Sequence, residues 1–271
     1  MLESSRKAPP SSGVVTLGPA AIESPAECFD RTYVINLVER KDRLKEITCE
    51  LQELGMTFTD PKVRLLSATR CQESRGFPTA AVRGCFLSHL TILLQAQSDG
   101  LKNVLIMEDD LAISPAFKDY CRHLFQEAEQ QPWGFLYFGH REDTPALNVP
   151  RLAPFTGPIA TTHFYAVNAT ILGRLIDYLQ AVQLRAPGDP VGGPMHYDGA
   201  LTMFREAHPD INTLIAQPSL GWQRSSRSDI HGHWYDKVWG LRNAADMARS
   251  LRRKHHAFAT PNPGTGEMAK N

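Results

Sequence analysis

No CxxC pair occurs among the five cysteines Cys28, Cys49, Cys71, Cys85 and Cys121, and their number is odd. This argues against a disulfide framework or a paired-cysteine zinc site, and for free thiols in a reducing compartment. No apolar run approaches the ~20 residues of a membrane span. The opening MLESSRKAPPSSG has two basic residues but no apolar stretch after them, unlike a signal peptide. Cytoplasmic residence is therefore expected. Neither sign of charge dominates: 29 Lys and Arg balance 29 Asp and Glu. A surface built throughout for nucleic acid is not expected. The sequence also lacks GxGxxG, GxxxxGK[ST] and any internal repeat, so the two commonest nucleotide signatures are missing.

What is present is core-forming material. Apolar residues make up 42% of the 271, with twelve Phe, seven Tyr and four Trp. That supports one large domain or a domain with an appendage. Residues 1–27 are rich in Ser, Pro, Ala and Gly and read as a flexible arm. From Thr32, TYVINL has the pattern of a buried strand. In the following helix Leu44, Ile47, Leu51 and Leu54 recur at helical spacing, and Gly55 supplies a stop. KVRLLSA is a strand, and residues 84–97 are a helix buried on most sides. NVLIMEDD is a strand ending in three acids. Ser114 and Pro115 then cap and open a helix, and GFLYFG is a strand.

This repeated strand–helix succession predicts an α/β sheet covered by helices, with ligands beyond the carboxyl ends of its strands. Further on, residues 144–158, with four prolines, read as an excursion. THFYAVNA reads as a strand, ATILGRLIDYLQAV as a helix, RAPGDPVGGPM as a loop, YDGALTMFREA as a helix and NTLIAQP as a strand. Val238, Leu241, Ala245, Ala248 and Leu251 mark a C-terminal amphipathic helix. The expected organisation is an arm at 1–27, a catalytic domain at 28–235, the helix at 236–254 and a flexible tail at 255–271.

Glu108, Asp109 and Asp110 are the sharpest signal. Three adjacent carboxylates repel one another, and a hard divalent ion offsets that cost. Asp110 is the first choice as direct ligand and Glu108 the second, while Asp109 could instead bind a sugar hydroxyl. An acidic turn stabilised by a helix dipole is the plainer reading. Asn36, Arg40 and Arg43 follow the first strand, where Asn suits a base or ribose edge and Arg suits phosphate. They could equally be the polar start of a helix. His89, on an otherwise apolar helix, reads from the residues alone as a structural histidine.

YVINLVERKDRL, RGCFLSHLTIL, NVLIMEDDL and QRSSRSDI, in this order over roughly residues 32–230, resemble glycosyltransferase family 25, which includes lipooligosaccharide and collagen galactosyltransferases. The resemblance implies a GT-A-like α/β fold, with a mixed, mainly parallel sheet as a single nucleotide-sugar-binding domain. It also implies a UDP-sugar donor and Mn²⁺ (or Mg²⁺). The acidic motif falls on Glu108, Asp109 and Asp110, and the nucleotide region on Asn36, Leu37, Arg40 and Arg43. The Ser-His motif falls on Ser88 and His89, and the late polar motif on Gln223, Ser228 and Asp229. Arg83 and the passage GDPVGGPMHYDG depart from the family pattern, which leaves donor sugar and acceptor open.

The implied reaction is inverting transfer of a hexose, galactose or glucose, to a glycan, lipid-linked glycan or protein hydroxyl, as in lipopolysaccharide biosynthesis. The ion would stabilise the leaving phosphate, helped by Arg40, Arg83 and Arg224. Asp198 is the candidate general base and Asp229 the second. Asp198 could instead cap its helix. His231 or His233 could complete the metal site with Asp110. Arg252, Arg253 and Lys254 could touch an anionic membrane. Two other functions remain in view: an inactive nucleotide-sugar or carbohydrate-binding protein, and a metal-dependent nucleotidyltransferase or hydrolase.

Overall fold

Strand β1 (Arg31–Asn36) is buried on both faces. Tyr33 and Ile35 enter one apolar core, while Val34 enters another. A strand alternates its side chains, so two cores mean layers above and below the sheet. The computed structural model describes residues 24–224. The helix read at 236–254, the tail at 255–271 and most of the 1–27 arm lie outside the described residues. So do Ser228, Asp229, His231 and His233. Within the arm, Pro25–Glu27 forms a short 3-10 turn with Ala26 in the second core.

The seven-stranded sheet has the order β2-β1-β3-β7-β5-β8-β6. The further strands are β2 (Val63–Ser67), β3 (Asn103–Glu108), β5 (Phe135–Tyr137), β6 (Arg151–Pro154), β7 (Phe164–Asn168) and β8 (Thr213–Gln217). Strands β7 and β6 run against the other five. Helices α2 (Ala80–Ser98), α4 (Ala169–Leu184) and α5 (Tyr197–Ala207) contribute to one core. Helices α1 (Lys41–Glu53) and α3 (Pro115–Glu129) contribute to the other. Each fully buried Leu, Ile or Phe contributes about 1.5–3 kcal/mol. The result is a single α/β domain with a mixed, mainly parallel sheet flanked by helices.

Two elements depart from the sequence reading. Residues 144–158 are not all excursion, because Arg151–Pro154 forms β6 at the sheet edge. An edge strand tolerates the terminal Pro154 that would disrupt a central ladder. The three residues between the acids and the Ser114 cap, to which the sequence reading gives no element, also form one. Strand β4 (Leu111–Ile113) intervenes and pairs antiparallel with β9 (Gly221–Gln223). In addition α2 begins at Ala80, capped by Thr79, whose Oγ1 accepts from Val82 N. The expected local stops do hold. Gly55 follows α1 at φ 71°, and Ser114 Oγ accepts from Ala116 N ahead of Pro115.

Gly84 lets α2 lie against the loop after β2. A Cβ there would stand 2.3 Å from the Thr69 carbonyl oxygen, which is backbone and cannot turn aside. Gly84→Ala is expected to cost about 3 kcal/mol or more, read as a fall in Tm of roughly 10 °C. Gly173, exposed within α4, has only Gln97 Nε2 near such a Cβ, at 3.9 Å. Gly173→Ala is expected to stabilise by about 0.4–1 kcal/mol. A melting temperature unchanged by the first or lowered by the second would contradict this packing.

Candidate functional site

The site forms where β1 and β3 end side by side, with Ile35 paired to Glu108. Asn36 is the last residue of β1, and the three acids follow the same edge. Asn36 Nδ2 donates to Asp109 Oδ2 at 2.7 Å. The first turn of α1 brings in Arg43, which donates to Asp109 Oδ1 at 3.1 Å and lies 3.4 Å from Asp110 Oδ2. Both oxygens of Asp109 are thus engaged by protein. Asp110 is different: its Oδ1 is buried and, among the described residues, has no hydrogen-bond partner. Only 8% of Asp110 is exposed.

Burial first, then the charge of Glu108, pushes the Asp110 carboxyl up to about 7, against the pull of Arg43. Burial also raises Asp109, again against Arg43. Burial would raise Glu108 too, but His89, with His163 and the Thr162 hydroxyl, together outweigh it and the carboxyl is held below its usual range. Crowded, desolvated acids with one orphaned oxygen fit a hard divalent cation. Arg43 is their compensating charge. Arg43→Ala is expected to destabilise by about 3–5 kcal/mol, because two buried carboxylates lose their cation. Denaturant unfolding checks this, and a loss within ~0.5 kcal/mol would rule the role out.

The late segment reaches the acids through the small sheet. Gln223 pairs with Leu111, and Arg224 N donates to Asp110 O at 2.7 Å. Gln223 Oε1 accepts from Arg141 at 2.8 Å. The Arg224 guanidinium is bonded to Glu50 and lies 3.6 Å from Glu46, both on α1. Arg40 pairs with Asp42 at 3.0 Å, and Leu37, half-buried, closes the turn that Arg40 N completes. Arg83 donates to the Glu73 carbonyl at 3.1 Å on the exposed side of α2. Ser88 is buried, donating to Gly84 O and accepting from Thr69 N. It therefore ties α2 to the loop after β2.

His89 is fully buried. Its ring stacks on Tyr197 at 4.3 Å, and its Nδ1 lies 3.0 Å from the Tyr165 hydroxyl. Its Nε2 is 3.5 Å from Glu108 Oε1, which also accepts from Thr162 Oγ1 at 3.2 Å. Asp198 opens α5 next to Tyr197, and its charge contributes to raising the Cys85 thiol. It therefore lies at the same end of the sheet. Its Oδ1 accepts from Gly199 N at 2.8 Å.

Sequence reading missed Cys85, Thr162, Tyr165, Tyr197 and Arg141. Cys85 with His89 has a signal, an i, i+4 pair on one helix. The others reach the site only through the fold. Among the described residues, Cys85, His89 and Glu108 form a group able to chelate a divalent metal.

The buried acids with Asn36 and Arg43 thus lie beyond the carboxyl ends of β1 and β3, where α/β sheets bind their ligands. The family model for glycosyltransferase family 25 (LPS biosynthesis protein) matches residues 67–158, which include Ser88, His89 and all three acids. Procollagen galactosyltransferase 1 of Danio rerio is 28% identical over 71% of this chain and 36% of that protein. A glycosyltransferase 25 family member of Drosophila melanogaster is 30% identical over 74% of this chain and 35% of its own length. The inactive glycosyltransferase 25 family member 3 of Homo sapiens is 29% identical over 43% of this chain and 23% of its own. The chain thus spans about a third of the length of the first two.

Among solved structures, a glycosyltransferase involved in glycosylation of the major capsid of PBCV-1 is similar at 14% identity. It covers 82% of this chain and 99% of its own, with TM-score 0.45. The chain is a glycosyltransferase family 25-like protein, related to the procollagen and lipopolysaccharide galactosyltransferases.

Proposed function

We propose that the protein is a metal-dependent, inverting glycosyltransferase that moves a hexose, galactose or glucose, from a UDP-sugar to a hydroxyl acceptor. The observation that carries this is Asp110 Oδ1, a buried carboxylate oxygen with no hydrogen-bond partner among the described residues, set among acids at the carboxyl ends of β1 and β3. Asp110, with Glu108 second, would hold Mn²⁺ or Mg²⁺. When bound, that ion supplies Lewis-acid stabilisation of charge on the leaving diphosphate. Asn36 and Arg43 hold Asp109 in place, leaving Asp110 as the acid with an uncommitted oxygen. Arg40 and Arg224, whose guanidinium groups pair with Asp42 and with Glu50, would help offset charge on the leaving phosphate. Asp198 would accept the acceptor proton as the new bond forms. The acceptor is a glycan, lipid-linked glycan or protein. Cytoplasmic residence, with the 252–254 basic run at a membrane surface, completes the proposal, and cell fractionation tests it.

The test is turnover of a panel of nucleotide sugars with and without Mn²⁺. Metal-dependent release of UDP from one donor is the expected result. No binding and no turnover across the panel would overturn the reading. A second reading, a nucleotide-sugar-binding protein without transfer activity, is favoured by one observation: relatives include proteins described as inactive. It predicts donor binding with no transfer to any acceptor.

A further inference from the structure

Cys85 and His89 stand four residues apart on α2 and share one face of it. That face meets Glu108 at the end of β3. One ligand atom from each lies within 4.8 Å of the other two. The state of His89 follows from its neighbours. The Tyr165 hydroxyl donates its one hydrogen to the Tyr197 hydroxyl at 3.1 Å. Its oxygen must therefore accept from His89, which places the imidazole proton on Nδ1. His89 Nε2 is then the ring nitrogen left to face Glu108. That atom is buried, has no hydrogen-bond partner among the described residues, and faces the Glu108 carboxylate at 3.5 Å.

A buried imidazole nitrogen facing a carboxylate calls for a cation between them, either a proton on Nε2 or a metal ion. The separation is long for an N–H···O bond. It is close to the ~3.3 Å between two ligand atoms of a tetrahedral ion with N and O bonds near 2.0–2.1 Å. The outer bond from Nδ1 to Tyr165 has the form that orients a ligating histidine, and stacking on Tyr197 fixes the ring plane.

We propose that Cys85, His89 and Glu108 form a thiophilic divalent-metal site of the zinc class, in which Glu108, the second-choice ligand of the proposed Mn²⁺ site, serves the softer ion and leaves Asp110 to the harder one. Thiolate and imidazole favour such an ion over Mn²⁺ or Mg²⁺. Without metal the Cys85 thiol keeps its proton, because burial and then the charges of Glu108, Asp198 and Asp110 push it up. Binding forms a metal–sulfur bond and releases that thiol proton to solvent, one per ion. The ion would offset the charge of Glu108, the largest charge acting on Asp110. Its role is therefore to position and neutralise.

The experiment loads chelator-stripped, tag-free full chain with Co²⁺ and reads near-UV thiolate-to-cobalt absorption alongside the binding isotherm. One equivalent with that absorption, displaced by Zn²⁺, is expected. Cys85→Ser should lose the band and weaken Co²⁺ binding tenfold or more. His89→Gln should weaken binding similarly, and Asp110→Asn should keep the band. Absence of the band in the wild-type chain, or its persistence in folded Cys85→Ser, overturns the proposal. So does its loss in Asp110→Asn. None of these readouts depends on glycosyl transfer, so failure of this site and failure of the proposed activity are separable.

Discussion

Asp110→Asn is expected to lower metal-dependent donor turnover by about 10²–10⁴-fold, since the ion's stabilisation of the leaving group is worth several kcal/mol. The same substitution should make the metal-free protein more stable at neutral pH. The sign follows from the raised carboxyl. In the folded chain Asp110 titrates at about 7, well above its ordinary value of 3.8. Folding is therefore penalised by this group as pH rises from about 4 to 7, and the penalty is fully present above 7. Below about 4 the group is protonated in both states and the penalty vanishes.

Asn is nearly isosteric and never charged, so it removes the penalty. The melting temperature of Asp110→Asn should exceed that of the metal-free wild type above pH 7, and the gap should close toward pH 4. Activity lost together with stability gained is the signature of a buried acid kept for an ion. An equally active variant would remove Asp110 from the metal site. A variant less stable at every pH would show that its charge serves the fold instead.

The second large effect is expected at Asp198. Asp198→Asn should reduce transfer to the acceptor by about 10²–10⁴-fold while leaving nucleotide-sugar affinity unchanged. The geometric basis is its place at the start of α5, next to Tyr197, which stacks on His89. Its Oδ1 accepts from the adjacent Gly199 N. Asn can keep that bond, so stability should change by less than about 1 kcal/mol. A plain helix-capping role predicts unchanged kcat. Loss of donor binding would place Asp198 in donor contact instead. Steady-state kinetics with donor titration separates the outcomes.

The sequence was informative wherever the physics is local. β1, α1, β3 and α3 follow from apolar period and caps, because Leu51 with Ile47, or Ser114 with Pro115, acts within a few residues. Glu108, Asp109 and Asp110 are contiguous, so their mutual repulsion is legible without a fold. Pairing was not. Strand β6 is short, proline-flanked and stable only because β8 lies beside it. β4 exists because β9 meets it from more than a hundred residues away. β7 runs against β3, which no strand–helix succession announces.

By itself, then, the sequence determined an α/β chain with an acidic strand end, since periodicity and adjacent like charges need no partners. Only the tertiary structure decided that Asn36 and Arg43 hold Asp109 while Asp110 keeps an uncommitted oxygen. It alone decided that Tyr165 and Tyr197 aim His89 at Glu108. Hydrogen bonding and desolvation depend on which groups meet across the folded interior, and those groups are far apart in the chain.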